Sequence, residues 1–471
     1  MIDGSDSIGW YEKRFLAMLI AFLFLLIQSI STLIPPQQSP DEEAHLKRAY
    51  FLSAGHIFAI NQGSSTGGYV DSGLLEYLSA FYPLMSHSDR RLSEQELSNS
   101  RNIQWSHSTQ FAEFTNTAYY FPFIYTPQAL AMLIGRNVGL TVSSSYYLAR
   151  LFSLVATLGL LWVALSIYPA PLFLLAVFAM PMTLFQMGSA SLDSMSYGLS
   201  VLAASFYMRG ADTQRSFGSG MHLGLCLAIF LLTTSRDNLI PLAILPAFLY
   251  RIRGSRWLLL SSSTLFVSSL AWIAYTLTTI TDASATCDRS TSTSFVARYY
   301  LTHVLSLFQV LYDTARNSQL MTFYWDSFIG ILGWLDTPLN RSVYAGFGIL
   351  FLVLAGFCLQ LGTPIHSERG RLPLLCCGTA SLLLLFPIFI LACSPFPPTV
   401  ITGIQGRYFI APFIFIIFAI FNRPLSLLQQ KIGVMIVFLM LILSVANMCP
   451  ILLSRYWMTN AIHVDLIVLS S

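Results

Sequence analysis

The chain has 471 residues, 55% of them hydrophobic and only 10% charged, with a formal net charge of +3. Soluble domains carry about 25% charged residues, so the composition excludes that class, and a small positive surplus scattered over short loops excludes a nucleic-acid partner. Several apolar runs reach the roughly 20 residues a helix needs to cross the hydrocarbon, and none alternates as barrel strands do. The fold class is therefore all-α, a polytopic helical membrane protein.

Residues 1–34 form an N-terminal segment and a first transmembrane helix. The apolar run 15–34 follows Lys13 and Arg14, exceeds a signal-peptide core in length and lacks a small-residue cleavage site. It reads as a retained helix with its basic end inside, delivering Pro35 onward to the outside. Residues 35–140 read as an extracytoplasmic loop subdomain, with Gly-Ser punctuation at 63–68 and the pattern of a solvated helix at 88–101. Its last part, 120–140, is broken by Pro122, Pro127 and Arg136 and is predicted to lie in the interface or to re-enter.

Transmembrane helices follow over 141–280, an extracytoplasmic loop with an aromatic interfacial segment over 281–341, and C-terminal transmembrane helices over 342–471. With the first helix the runs give about eleven crossings, which puts Arg209, Arg215, Arg251, Arg253, Arg256, the loop 366–371, Arg423 and Lys431 all inside. Of seven cysteines, most lie in apolar runs where thiols act as small hydrophobes, and only Cys287 sits in a polar loop. Neither a zinc spacing nor a disulfide framework is evident, and there is no repeat of the kind many carriers show.

Against so few charges the run Ser39-Pro40-Asp41-Glu42-Glu43-Ala44-His45 stands out. Asp41 and Glu42 could remove a proton from an acceptor hydroxyl or ligate a divalent cation such as Mg or Mn, and His45, four residues after Asp41, would share its helical face. The plainer reading is an acidic first turn with Ser39 as cap and Pro40 at the first position. Asp193 interrupts an apolar stretch, where ionisable groups tend to mark a site or an ion pair. Arg236-Asp237, between two apolar runs, could be a self-satisfied pair. Gln405-Gly406-Arg407-Tyr408 opens an apolar helix, and its arginine fork suits phosphate; the alternative is interfacial anchoring by Arg and Tyr. The aromatic stretch 323–336, with Trp325 and Asp326, is too broken to span and reads as a groove wall or as a belt segment.

Pro40-Asp41-Glu42 with His45, Asn116-Thr117-Ala118-Tyr119-Tyr120 with Tyr125-Thr126-Pro127-Gln128, Ala149-Arg150-Leu151, Pro181-Met182 through Ser191-Leu192-Asp193, Ser327-Phe328-Ile329-Gly330 with Gly333-Trp334-Leu335-Asp336, and Gly403-Ile404-Gln405-Gly406-Arg407-Tyr408-Phe409 occur in that order. Together they resemble a widespread bacterial family of polytopic membrane proteins of unknown function, itself similar to the class C glycosyltransferases. The resemblance implies a GT-C-like fold in the inner membrane and transfer of a sugar from a polyprenyl-phosphate donor to a surface polysaccharide or lipid-linked glycan, O-antigen among them. It implies Asp41 or Glu42 as the catalytic base or metal-orienting carboxylate and Arg407 as the holder of donor phosphate; His45, Tyr125, Asp193, Trp325, Asp326, Gln405 and Tyr408 are the further candidates for binding substrate. A flippase or a polymerase for lipid-linked glycans is the rival, since it too needs outer-face carboxylates and Arg.

Overall fold

The computed structural model describes residues 10–280, 291–359, 370–421 and 425–458. Cys287, His366 and Arg423 lie outside the described residues. Among the described residues six helices are long and apolar enough to cross a membrane: Leu16–Leu33, Val142–Ile167, Arg256–Thr279, Arg341–Cys358, Arg371–Ala392 and Leu427–Tyr456. Ser219–Thr233 and Gly406–Phe421 are apolar but shorter. The protein is thus a helical, multi-pass membrane protein.

The other runs read as crossings take different forms, each for a local reason. Residues 171–187 form two short helices, Leu172–Phe178 and Pro181–Met187, because Pro181 cannot continue the helix before it. Residues 237–253 begin as a 3-10 turn, Asp237–Ile244, with Pro241 inside it, before the helix Leu245–Arg253. Asp193–Ala211 is a regular helix whose every residue is buried. It packs against Val142–Ile167, Ser219–Thr233 and Ile410–Phe421, so its outer surface is protein and serines can occupy it where lipid would demand apolar side chains.

One end of this bundle carries the region after the first helix. There the helix Glu42–Ser53 packs on Thr126–Asn137, and a three-stranded antiparallel sheet (Ile60–Asn61, Thr66–Asp71, Thr109–Glu113) covers it. Of the Gly-Ser stretch at 63–68, residues 63–65 lie in the turn between the first two strands and 66–68 join the middle strand. Gly67 and Gly68 belong to that strand because a Cβ at Gly67 would strike the Ala112 carbonyl and one at Gly68 the ring of Phe51, so glycine there permits close packing. The solvated helix forms at Glu94–Arg101, closed by a Ser93/Glu96 capping box. Thr126–Asn137 is too short to span; its face toward Val142–Ile167 is tight at Gly135, against Ser145, while Leu130, Leu133 and Ile134 stay exposed.

The C-terminal helix returns to this same end. Arg455 donates to Asp336 Oδ2 at 2.7 Å and to the Leu84 carbonyl at 2.8 Å, and Trp457 Nε1 donates to the Leu33 carbonyl at 2.9 Å. Ile331–Leu332 and Thr337–Pro338 form a hairpin beside them, whose Trp334 Nε1 donates to the Gln37 carbonyl at 2.6 Å. The turn after the first helix is thereby clamped from above.

Candidate active site

Asp41 is the N-cap residue of Glu42–Ser53, held in the left-handed region (φ 65°, ψ 2°), and its side chain makes no capping bond. That conformation costs a non-glycine residue roughly 1–2 kcal/mol and persists only where the surroundings impose it. Here the Glu42 N–H donates to the Ser39 carbonyl at 3.1 Å, and Arg407 Nη1 to the Pro40 carbonyl at 3.2 Å. Ser39 does not cap the helix either; its hydroxyl donates to Gln186 Oε1 at 2.9 Å. The capping reading is therefore set aside, and the Asp41 carboxylate is left for other partners.

Those partners come from segments far apart in sequence. Arg407 Nη2 donates to Asp41 Oδ2 at 2.7 Å, and Asn116 Nδ2 to Oδ1 at 3.0 Å. Arg407 Nη1 also reaches Asp193 Oδ2 at 3.3 Å, while Arg236 Nη2 donates to Asp193 Oδ1. The result is a row, Asn116–Asp41–Arg407–Asp193–Arg236, in which two carboxylates alternate with two guanidinium groups. Its charges cancel, which is what allows burial. Asp193 and Arg407 are 1% and 2% exposed, and Asp41, at 35%, is the open end. The Tyr408 ring lies 5.1 Å from the Arg407 guanidinium and 5.5 Å from that of Arg236.

Each member sits at the end of an element. Asp193 is the first residue of the central helix, Arg236 precedes the 3-10 turn, and Arg407 lies in the turn Gly406–Phe409 that leads into Ile410–Phe421. Gly406 sets the last of these: its N–H donates to Ser327 Oγ at 2.9 Å, and a Cβ would collide with the Phe328 backbone nitrogen.

Burial alone would push the Asp41 carboxyl up, but the Arg407 charge and hydrogen bonds from Arg407 and Asn116, joined by His45 in the acid range where its ring is charged, outweigh it and hold the group below the usual carboxylate range. His45 is buried, its Nδ1 2.7 Å from the Tyr125 hydroxyl and its ring stacked on Tyr120. Burial pushes its imidazole down to about 4, against the pull of Asp41 and Asp193, so the ring is neutral at physiological pH. The unfolded chain, where the ring titrates at its ordinary 6.5, then binds more protons between about pH 6.5 and about 4. Stability is present above that window and falls as pH drops through it, by up to about 1 kcal/mol per pH unit. Thermal unfolding at pH 7.5 and 4.5 should show a smaller acid loss in His45→Gln than in wild type; equal losses would refute the neutral imidazole.

Glu42, the other carboxylate predicted for chemistry, points inward and is 0% exposed. Its Oε1 accepts from Tyr146 Oη at 2.9 Å, Arg150 Nε at 3.2 Å and the Ala190 N–H at 2.7 Å, and Oε2 accepts from Arg150 Nη2 at 3.2 Å. Arg150 meanwhile donates to the Ser31, Ile34 and Pro35 carbonyls. The pair thus ties the turn after the first helix to Val142–Ile167 and to the turn before Asp193.

Trp325 and Asp326 are not brought to the row. Trp325 packs toward Phe351 and Phe328, and the charge facing Asp326 is Arg341, whereas Ser327 on the same helix faces Gly406. Gln405 stands two residues before Arg407 but gives the row no hydrogen bond; its Oε1 is buried without a partner. Arg236 pairs with Asp193 rather than with its neighbour Asp237, a correction to the self-satisfied pair. Asn116 and Arg150 were legible only as members of recurring motifs, since nothing in their spacing assigns them partners. Among the described residues no three His, Cys, Asp or Glu side chains converge as a metal set. Both carboxylates of the row are paired with guanidinium, a donor set that does not fit a resident divalent cation.

A bundle of apolar helices with a neutralised ionic row where several of them end defines a multi-pass membrane protein with a polar centre at one face. Over residues 22–417 the chain matches the model of the family described as predicted membrane protein (DUF2142), and it belongs to that family. No curated protein and no solved structure matches it.

Proposed function

We propose that the protein is a glycosyltransferase of the bacterial inner membrane, moving a sugar from a polyprenyl-phosphate donor to a surface polysaccharide or lipid-linked glycan such as O-antigen at the periplasmic face. The observation that carries this reading is Asp41, a strained and ionised carboxylate at the open end of an otherwise buried row of charges. An acceptor hydroxyl attacks the anomeric carbon, its proton passes to Asp41, and the bond from that carbon to the phosphate oxygen breaks as polyprenyl phosphate leaves. Glu42 has no free face for such a role, so Asp41 is the base. Arg407 at rest holds Asp41 below the usual carboxylate range. Donor phosphate, competing for that guanidinium, weakens the pair and returns basicity to Asp41 where it is needed. Arg407 and the neighbouring Arg236 then stabilise the charge of the leaving phosphate.

The fold on this reading is GT-C-like with eleven passes: the six long helices, the two shorter apolar ones, 172–187, Asp193–Ala211 and 237–253. Contacts between their ends support the parity, with Arg253 reaching the Gly210 carbonyl at the end away from the row and Asn61 reaching the Thr279 carbonyl at the row end. Cys393, close behind the loop to Arg407, is disulfide-bonded, as suits an oxidising compartment. Arg251, Arg253 and Arg256 gather at the opposite end, as suits the cytoplasm. A transporter would more typically hold its ionisable groups at mid-depth, whereas Asp193, Arg236 and Arg407 sit at element ends.

The test is transfer from radiolabelled polyprenyl-phosphate hexose to lipopolysaccharide by the purified protein. Label appearing in the glycan supports the proposal. No transfer from a panel of lipid-linked sugars, together with their movement across liposomes, would put the flippase in its place.

A further inference from the structure

Far from the row, the helices Ser219–Thr233 and Arg256–Thr279 diverge around an open groove of about 380 Å³ lined by His222, Cys226, Trp257, Leu260, Ser261 and Leu265, among others, with no acidic side chain. The surface around it is apolar and exposed: Leu223 59%, Leu227 54%, Trp257 71%, Leu260 56%. In a bilayer such a face meets lipid, and a groove in it must be filled by something from the lipid phase.

Its polarity is graded along the helix. Arg256, exposed, stands one turn before Leu260 on the same stripe, and among the described residues no hydrogen bond or ion pair engages it or the exposed Arg251. Arg253 is different, since its guanidinium donates to the Gly210, Asp212 and Arg215 carbonyls. About 7 Å deeper, at 1.5 Å per residue, Ser261 Oγ, which donates to the Leu258 carbonyl at 3.0 Å, lies 2.8 Å from His222 Nε2, and both side chains line the groove. Below them Cys226 and Leu265 are apolar.

We infer that this groove binds one anionic glycerophospholipid of the surrounding bilayer, its phosphate at Arg256, its ester region at His222 and Ser261, and an acyl chain against Cys226 and Leu265. The order cation, hydrogen-bonding pair, apolar floor follows the order of groups in such a lipid from headgroup to chain. An unpaired cation at the top favours a net negative headgroup over a zwitterionic one. The site is remote from the row and does not depend on the proposed reaction.

The test uses the full-length protein in detergent, titrated with phosphatidylglycerol or with phosphatidylcholine of the same chains while thermal unfolding is followed. Phosphatidylglycerol should raise the midpoint at lower concentration. Arg256→Gln should weaken its apparent affinity about fivefold and leave phosphatidylcholine unaffected, and Ser261→Leu, which fills the groove, should weaken both. Equal protection of wild type by the two lipids, or an undiminished preference in Arg256→Gln, would overturn the site. So would light scattering showing a dimer with no response to either lipid, because a second copy would then cover the face.

Discussion

Asp41→Asn is expected to lower sugar transfer by about 10²–10⁴-fold, the range a positioned general base contributes, with kcat carrying the loss and KM nearly unchanged. Asparagine has the volume of aspartate, tolerates the left-handed conformation at this position, and keeps a carbonyl oxygen that can accept from Arg407 or Asn116. What it lacks is the charge and the basic lone pair. The Arg407–Asp41 contact is lost as an ion pair, yet Arg407 retains Asp193, the Pro40 carbonyl and the Tyr408 hydroxyl. The variant should therefore fold, with a stability loss of no more than about 3 kcal/mol, the upper figure for a charged hydrogen bond. Retention of more than a tenth of wild-type kcat by a folded Asp41→Asn protein would remove Asp41 from the chemistry.

The row was partly legible in the sequence. In a chain with 10% charged residues, Asp41, Asp193 and Arg407 stand out because each interrupts or borders an apolar run, where a charge has to be compensated. Their convergence was not legible, since it depends on which helix ends share a face, and no local pattern encodes that. Glu42 shows the limit most clearly. It is the neighbour of Asp41 in sequence, but Asp41 is the left-handed N-cap and Glu42 the first helical residue, so the chain turns between them and one carboxylate faces the open site, the other the interior. Composition could not choose between them; Arg150, a hundred residues on, decides it. Arg236 was misassigned to Asp237 for the converse reason, adjacency being a poor guide at the start of a 3-10 turn. The aromatic stretch read as one wall is split by its own helix, with Ser327 toward Arg407's turn and Trp325 toward Phe351. The small sheet escaped because its middle strand carries two glycines, residues that ordinarily mark loops.

Glu42→Ala is expected to have the largest effect on stability, about 3–5 kcal/mol, the cost of leaving one partner of a buried ion pair uncompensated. Arg150 would remain 2% exposed with its charge unanswered by any carboxylate, and the Ala190 N–H and Tyr146 hydroxyl would lose their acceptor. Arg150→Met should cost a similar amount by a different route, since it frees the Ser31, Ile34 and Pro35 carbonyls as well as Glu42. Because the two share one interaction, the double variant should be less destabilised than the sum of the singles, by about 2–3 kcal/mol in thermal or denaturant unfolding of the detergent-solubilised protein. Strict additivity would mean that the pair does not hold the turn. Glu42→Gln separates structure from chemistry: it keeps the side-chain volume and one acceptor oxygen, so the fraction that folds should retain most of its kcat. A folded Glu42→Gln protein as inactive as Asp41→Asn would assign Glu42 a part in the reaction that its buried position argues against.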